Sequence, residues 1–520
     1  MNDAGMLHEL QHLAHAFADR SPAPLGPAVQ EKKSGRRDLR FAVIGAGMAG
    51  ILCAIKLTQS GHDDLTVFEK ADRLGGTWRD NTYPGLTCDV PSHAYTYSFE
   101  PYPDWSRYLP PGAEILAYFE RAAARFDVGK VIAFNEEIRA CEFDGEQWRL
   151  TAVSGRTDRA DVVIAATGVL HHPRYPDIPG AERFRGDLLH SARWDHGVRL
   201  DSRRIGIVGN GSSGVQLVSA LAGRAAHLKH FQRTPQWIMP VENFVYSDAE
   251  REALRRDPEL LRRTQNDPVL EANIERFSQA VADPNSDAMR EVESLVVKNL
   301  EASVADAGLR EKLRPDYRVG CKRLIYSPDY YRAIQMPNAE LVTAGIRCVE
   351  PEGLRTGDGV LHPLDVLVYA TGYQVDRFVR PMRVTGRNGV ELDEVWSPAP
   401  YAYLSISVPG FPNFFLLNGP NGPVGNFSLI EIAERQWGYI EQLIEKIETG
   451  ECRFVSADAA ATTRYEKQRI AAAKSTVFGS GCRSWYLDAN GVPATWPWTR
   501  AEFARRLHKP EFADFDLRSA

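Results

Sequence analysis

The 520-residue sequence predicts an α/β fold built from two copies of one nucleotide-binding unit. Two glycine-rich turns carry this reading, GAGMAG at Gly45 to Gly50 and GNGSSG at Gly209 to Gly214. Each follows a short apolar run, Phe41 to Ile44 and Ile205 to Val208, and leads into helix-compatible sequence. That is the strand, tight turn and helix of a dinucleotide-binding βαβ unit of Rossmann type. A third observation is a pair of matched strand endings, Ala166-Thr167-Gly168 and Ala370-Thr371-Gly372. One G-x-G-x-x-G is weak evidence; a repeated context is not.

Composition bounds the remaining choices. The length allows roughly two to four domains with proper cores. Hydrophobic residues make up 43% and charged residues 25%, as in ordinary soluble globular proteins. A net charge of −6 leaves no basic footprint for nucleic acid and no polybasic membrane segment. The seven cysteines (53, 88, 141, 321, 348, 452 and 482) are scattered and form no C-x-x-C. This argues against a disulfide scaffold, a zinc site or a dithiol redox centre, and suits a reducing cytoplasm. The apolar stretch Phe41 to Leu57 contains Lys56 and is too short for a membrane span, which needs about 20 residues. The N-terminus carries Asp3 and Glu9 and lacks the apolar region of a secretory signal. A soluble cytoplasmic protein is expected, with no metal site.

Residues 1–38 read as an extension that begins with an amphipathic helix (Met6, Leu7, Leu10, Leu13, Phe17) and continues through a Pro- and Lys/Arg-rich stretch. The first nucleotide unit, residues 39–170, should place its second strand at Leu65 to Phe68, ending at Glu69. Leu74 to Phe99 is too rich in Gly, Pro and Asn for a helix and too aromatic for a solvated linker. Ile115 to Phe126 reads as a helix; Trp148 to Val153 and Asp161 to Ala165 read as strands. Phe184 to Asp195 lies between the two glycine turns and is read as the link between domains. The second unit, residues 171–369, carries charged helical patterns at about 246–313, read as a helical insertion. The strand Val366 to Ala370 marks the return to the first domain, which residues 370–520 complete. There Phe414 to Pro420 reads as a buried strand and Glu431 to Ile447 as a helix. One nucleotide-binding fold is thus inserted into another.

The identity of each nucleotide follows from one matched position. Counting 24 residues from the first glycine reaches Glu69 in one unit and Arg233 in the other. A carboxylate there accepts hydrogen bonds from ribose hydroxyls and repels a 2′-phosphate, so the first unit suits FAD. A guanidinium suits bidentate phosphate binding, so the second unit should prefer NADPH to NADH.

The intervening segments resemble a family. Phe184-x-Gly186-x-x-x-His190-x-x-x-Trp194-Asp195 is similar to the fingerprint of type I Baeyer–Villiger monooxygenases, within the flavin-containing monooxygenase superfamily. A second signature, Gly75-Gly76-Thr77-Trp78-x-x-Asn81-x-Tyr83-Pro84-Gly85-x-x-x-Asp89, has every fixed position in place. Arg233-Thr234-Pro235, Lys322-Arg323 and Ser484-Trp485-Tyr486 resemble three further blocks, in the family's order, over about residues 39–505.

The resemblance implies that NADPH reduces FAD, that O2 adds at flavin C4a, and that the peroxide attacks a ketone carbonyl. The product is an ester or lactone, with sulfides as further substrates. A fixed positive charge must meet the oxyanion that develops in the adduct, and arginine suits that need. Arg323 matches the family's catalytic arginine, and Asp89 would orient it. FAD would be held by Gly45, Gly47, Gly50, Glu69, Lys70, Gly76, Thr77, Trp78, Tyr83, Asp89 and Tyr95. NADPH would be held by Gly209, Gly211, Ser212, Ser213, Gly214, Arg233, Thr234, Lys322 and Trp485. Phe184, Gly186, His190 and Trp194 would couple the domains. The substrate pocket would draw on the loop Asn418 to Phe427, the helical insertion and Phe478 to Asn490.

Two rival readings are distinguishable. N- and S-oxygenating flavin monooxygenases share the two turns, but their central motif ends in an aromatic and a basic residue, not in Trp194-Asp195. A non-catalytic FAD/NADPH-binding sensor would need neither Lys322-Arg323 nor the aromatic segment ending at Asp89.

Overall fold

The computed structural model describes residues 35–519 except 398, 424 and 426. The helix expected around Met6 to Phe17 lies outside the described residues. At the start of the described chain, Arg36 forms ion pairs with Glu445 and Glu448 on the helix Leu429–Glu448.

Two five-stranded parallel sheets dominate. In the first, the order is Phe414–Leu416, Val162–Ala165, Phe41–Ile44, Leu65–Glu69 and Ile132–Phe134. In the second, it is Ala339–Val342, His227–Phe231, Arg204–Val208, Val366–Tyr369 and Asp187–His190. The central strands are near-continuous apolar runs because helices and loops cover both faces of a parallel sheet. Phe41, Val43, Ile205, Ile207, Val366 and Val368 are fully buried. Each glycine turn leads into a helix, Met48–Gln59 in the first unit and Ser212–Leu221 in the second.

The sheets differ in where their outer strand comes from. The first takes Phe414–Leu416 from late in the chain, whereas the second takes Asp187–His190 from just before its own glycine turn. This corrects one expectation: Phe184 to Asp195 is not simply a connection, because its middle is the edge strand of the second sheet, paired with Val366–Tyr369. Val366–Tyr369 is the last strand of the second sheet, and the chain passes to the first unit after it. Leu74 to Phe99 also contains one helical turn, Thr77–Asp80, and a short 3-10 turn, Ser92–Ala94. Glycines on both sides do not prevent a single turn.

The helical insertion comprises Asp248–Arg256, Pro258–Gln265, Pro268–Ala282, Asp287–Ser303 and Ala307–Leu313. Its starts are written locally. Asp257 and Asp267 cap helices whose first residue is proline, and Ser247 with Glu250 forms a capping box. Met289, Val296 and Leu300 bury the longest of these helices against the second unit. Among the described residues no helix is long and apolar enough to cross a membrane.

The cysteines give the clearest correction. Cys321 and Cys482, 161 residues apart in sequence, form a disulfide, and the other five are free thiols. Spacing cannot reveal such a pair, because it forms between two loops that only the tertiary fold brings together.

Candidate active site

Both glycine turns stand at the carboxyl ends of their strands, where parallel sheets bind ligands. Gly45 and Gly209 take φ of +103° and +105°, which a side chain rarely adopts. A Cβ on Gly45 would meet the Ala166 carbonyl oxygen at 2.6 Å, and one on Gly209 would meet that of Ala370 at 2.4 Å. The two alanines are the matched strand endings, so the repeat read in sequence is also a repeat in space. Gly50 and Gly214 do not face the cleft. They bring their helices onto the turns, with a Cβ placed 1.8 Å and 2.0 Å from the carbonyl oxygens of Gly45 and Gly209. Gly211 has open space around it, which leaves backbone N–H groups free for a phosphate.

One continuous cleft of ≈ 2190 Å³ runs past both turns. This exceeds what a single small ligand needs, and the residues present fit two dinucleotides. On the first side it is lined by Gly45, Gly47, Glu69, Lys70, Gly76, Thr77, Trp78, Tyr83, Asp89 and Tyr95. The Glu69 carboxylate is buried and accepts hydrogen bonds from the Ala46 and Ala71 N–H groups and from Arg79. Those contacts aim it at the turn. Gly76 lies so close to Gly47 that a Cβ would approach its Cα to 2.9 Å, and Trp78 donates to the Tyr95 hydroxyl at 3.1 Å.

On the second side the cleft is lined by Gly209, Gly211, Ser212, Ser213, Arg233, Thr234, Lys322 and Trp485. Asn210, inside the turn, donates to the Thr234 carbonyl at 2.6 Å and so joins the turn to Arg233-Thr234. Among the described residues neither Arg233 nor Lys322 forms a salt bridge. Burial lowers the pKa of Lys322, and the neighbouring Arg233 charge lowers it further. The Asp316 carboxylate acts on Lys322 in the opposite sense without pairing with it, and two cations held this close make a site for a dianion such as a phosphate.

Between the two sides sits Arg323. It donates to Asp89 Oδ2 at 2.6 Å and hydrogen bonds to Tyr486. Burial disfavours its charge, but Asp89 and Tyr486 more than offset this and raise its pKa above the usual arginine value. A permanent cation results. Gly425, at φ +88°, is packed against this pair: a Cβ would lie 2.3 Å from the Tyr486 hydroxyl and 2.4 Å from Arg323 Nη1. A side chain there would displace the guanidinium or the Tyr486 hydroxyl, on a backbone that L residues rarely adopt.

The segment after the first unit's second strand also ties the two units together. Tyr83 donates to Gln216 at 2.7 Å and Gln216 donates to the Thr87 carbonyl at 3.0 Å, while Tyr373, just past the crossing back into the first unit, donates to Asn81 at 2.6 Å. Gly85 lies against the backbone of Gln216. Phe184, Gly186, His190 and Trp194 stand elsewhere. Phe184 packs beside Val349, Leu354 and Leu364, and Trp194 packs on the second unit's core. A Cβ on Gly186 would strike the Asp365 carbonyl oxygen at 2.3 Å. His190 Nδ1 accepts from the Ala192 N–H, and Nε2 faces the Arg174 carbonyl and the Thr371 hydroxyl, one on each crossing segment. Burial lowers its pKa.

Sequence reasoning missed Tyr486, Gly425, Gln216 and Tyr373. Tyr486 and Asn81 were within reach, since both fall inside quoted motifs. Gly425 carried no signal, because its role depends on where Arg323 and Tyr486 meet.

The fold and site together define a flavoprotein with two nucleotide sites and a cation set between them. Residues 42–247 match the pyridine nucleotide-disulphide oxidoreductase family. Over 92% of its length the chain is 45% identical to an uncharacterised monooxygenase of Mycobacterium tuberculosis, covering 96% of that protein. It is 38% identical to a Baeyer–Villiger monooxygenase of Streptomyces coelicolor, over 94% of each chain. Cyclohexanone monooxygenase from Rhodococcus sp. Phi1, bound to NADP+, is a structural neighbour with a TM-score of 0.81 and 29% identity, covering 93% of this chain and 99% of its own. A steroid monooxygenase bound to NADP superposes with a TM-score of 0.82 at 27% identity, over 93% and 100% of the two chains. The chain belongs to the Baeyer–Villiger monooxygenases and is an FAD- and NADPH-dependent flavoprotein monooxygenase.

Proposed function

We propose that the first unit holds FAD, that the second holds NADPH through Arg233 and Lys322, and that Arg323 acts on an apolar ketone between them. The observation that carries the reading is the Arg323–Asp89 pair, placed in one cleft with both glycine turns. When bound, FAD supplies the oxygen-activating chemistry, which no side chain can. Arg323 keeps its charge at any working pH and offers donors to the negative charge that develops on the attacked carbonyl oxygen. Asp89 and Tyr486 orient that guanidinium, and Gly425 lets the loop close over it. Glu69 meets the ribose of the first nucleotide, and Trp485, 42% exposed and stacked on Tyr486, covers the second.

Val269, Leu270, Ile274, Phe277, Val292 and Leu295 of the insertion line the same cleft, with Phe427 and Leu429 from the first unit. An apolar wall of this kind favours a ketone of low polarity, linear or cyclic. A cytoplasmic location belongs to the same proposal, supported by the five free thiols.

The test is product analysis. Purified protein with FAD, O2 and NADPH is given a panel of ketones, amines and sulfides, with NADH in parallel. Ester or lactone formed from a ketone, with NADPH preferred, is the expected result. N-oxides or sulfoxides alone would move the protein to the heteroatom oxygenases.

A further inference from the structure

Cys321 immediately precedes Lys322 and Arg323, and Cys482 immediately precedes the stretch Arg483 to Tyr486. The disulfide between them, with Cα atoms 6.2 Å apart, therefore ties the segment carrying the central arginine to the one carrying Trp485. Both segments are irregular. Lys322 to Leu324 lie in no helix or strand, and residues 480–499 contain only the isolated bridge between Leu487 and Pro493. Apart from the disulfide, Trp485 and its neighbours are held over the cleft by the buried Tyr486 ring, which packs on Phe478 with ring centroids 4.2 Å apart, by the Arg323–Tyr486 hydrogen bond and by Ala494 N–H donating to the Tyr486 carbonyl at 2.7 Å. A segment with few backbone hydrogen bonds opens at low cost.

We propose that Cys321–Cys482 is a redox switch on the NADP-bearing end of the cleft, opened by thiol reductants. This rests on the reading of Lys322 and Trp485 as part of the nicotinamide nucleotide site. A chain this long with extensive cores does not need a staple for stability. The other five cysteines are free, so the pair is not part of a general disulfide framework. Cys321 is fully buried whereas Cys482 is only half-buried, so Cys482 is the side from which a reductant would approach.

The chemistry is an exchange. A thiolate attacks the Cys482 sulfur, the protein's S–S bond breaks, and Cys321 leaves as a thiolate and takes up a proton. A second thiol attacks the outer sulfur of the mixed disulfide, releasing Cys482 as a thiol. The two reductant molecules depart joined as a disulfide, and their two protons end on Cys321 and Cys482. A low-molecular-weight disulfide runs the same steps in reverse. In the oxidised state the segment 482–486 stays at high effective concentration over the cleft; in the reduced state it lifts and the nucleotide escapes.

The test uses the full-length FAD-loaded protein and NADP+ as probe. Alkylation in denaturant without reductant, which exposes the buried free thiols, followed by mass spectrometry, should leave two of the seven cysteines protected, recovered as a joined Cys321–Cys482 peptide pair. Labelling of every cysteine would overturn the proposal. After dithiothreitol treatment and its removal, trypsin should cut after the exposed Arg483 about tenfold faster. NADP+ should then dissociate about tenfold faster or more, at the low end of what tethering confers. Cys482→Ser should show the reduced behaviour in both conditions, and Cys348→Ser should respond like the parent. If cleavage and NADP+ release are unchanged by reduction, the disulfide is no switch. Should Cys482→Ser fail to retain FAD, the reduced parent protein decides the matter. No readout requires a ketone, so failure of ester formation leaves this test standing. Absence of NADP+ binding in both redox states would overturn the site reading and the switch with it.

Discussion

Arg323, Gly425 and Arg233 each separate one job in the cleft from the others. In the proposed reading Arg323 offers a permanent charge where oxyanion character develops, held there by its contacts with Asp89 and Tyr486. Arg323→Ala should still allow the flavin to be reduced by NADPH while ester formation falls by about 10²–10³-fold or more. Flavin bleaching under anaerobic conditions, with product yield measured separately, checks both halves. Gly425→Ala should lower ester formation as well, because its Cβ would lie 2.4 Å from Arg323 Nη1 on a backbone at φ +88°. The check is that FAD content stays normal while turnover falls. Arg233→Ala removes one proposed charge-assisted partner of a 2′-phosphate. It should raise the KM for NADPH by roughly ten- to a hundredfold, from about 1.5–3 kcal/mol, and leave NADH kinetics nearly unchanged. Equal effects on both nucleotides would sink the 2′-phosphate assignment.

At the scale of elements, the two strand–turn–helix units are the same device used twice, and the duplication makes their functions separable. Gly214 brings the helix Ser212–Leu221 onto its turn, and an added Cβ would lie 2.0 Å from the Gly209 carbonyl oxygen. That atom is backbone, so the helix must shift. Gly214→Ala should therefore abolish NADPH binding while FAD remains bound, as read by flavin absorbance and nucleotide titration. Loss of both would mean that the second turn supports the first unit too. The helical insertion follows a different logic. Its Asp-Pro starts and capping box are legible in sequence, but the faces that line the cleft are decided by packing on Met289, Val296 and Leu300. The fingerprint Phe184 to Asp195 was legible as a motif and not as a strand. Asp187–His190 shares an edge with Val366–Tyr369, a pairing across almost the whole second unit that local sequence cannot announce.

Over the whole molecule, buried histidines set an acid limit on stability. His230 is fully buried, with Nε2 donating to the Gly209 carbonyl and Nδ1 accepting from the Tyr330 hydroxyl, so it is held neutral under the second turn. Burial lowers its pKa to about 4, and does the same for His93, whose ring nitrogens have no hydrogen-bond partner among the described residues. The ordinary value is 6.5, so between these limits the unfolded chain binds more protons than the folded one. Stability therefore falls as pH drops from 6.5 towards 4, by up to about 1.4 kcal/mol per pH unit for each ring. Denaturant midpoints at pH 7 and pH 5 should differ, and His93→Gln should shrink the difference. An equal gap in the variant would remove His93 from the account.

The sequence by itself determined the things that local chemistry dictates. Glycine turns need positive φ and close backbone approach, apolar runs before them must be buried strands, and a carboxylate or a guanidinium at one matched position chooses between ribose and phosphate. Those demands are written within a few residues, so Glu69, Arg233 and the motif ending at Asp89 could be read directly. Only the tertiary structure decided the contacts that join distant loops. Asp89, Arg323, Gly425 and Tyr486 meet across nearly 400 residues of chain. Tyr83 reaches Gln216, and Cys321 finds Cys482. Each of these depends on how one folded unit is seated on another. That seating is set by summed burial over two cores, which no short stretch of sequence encodes.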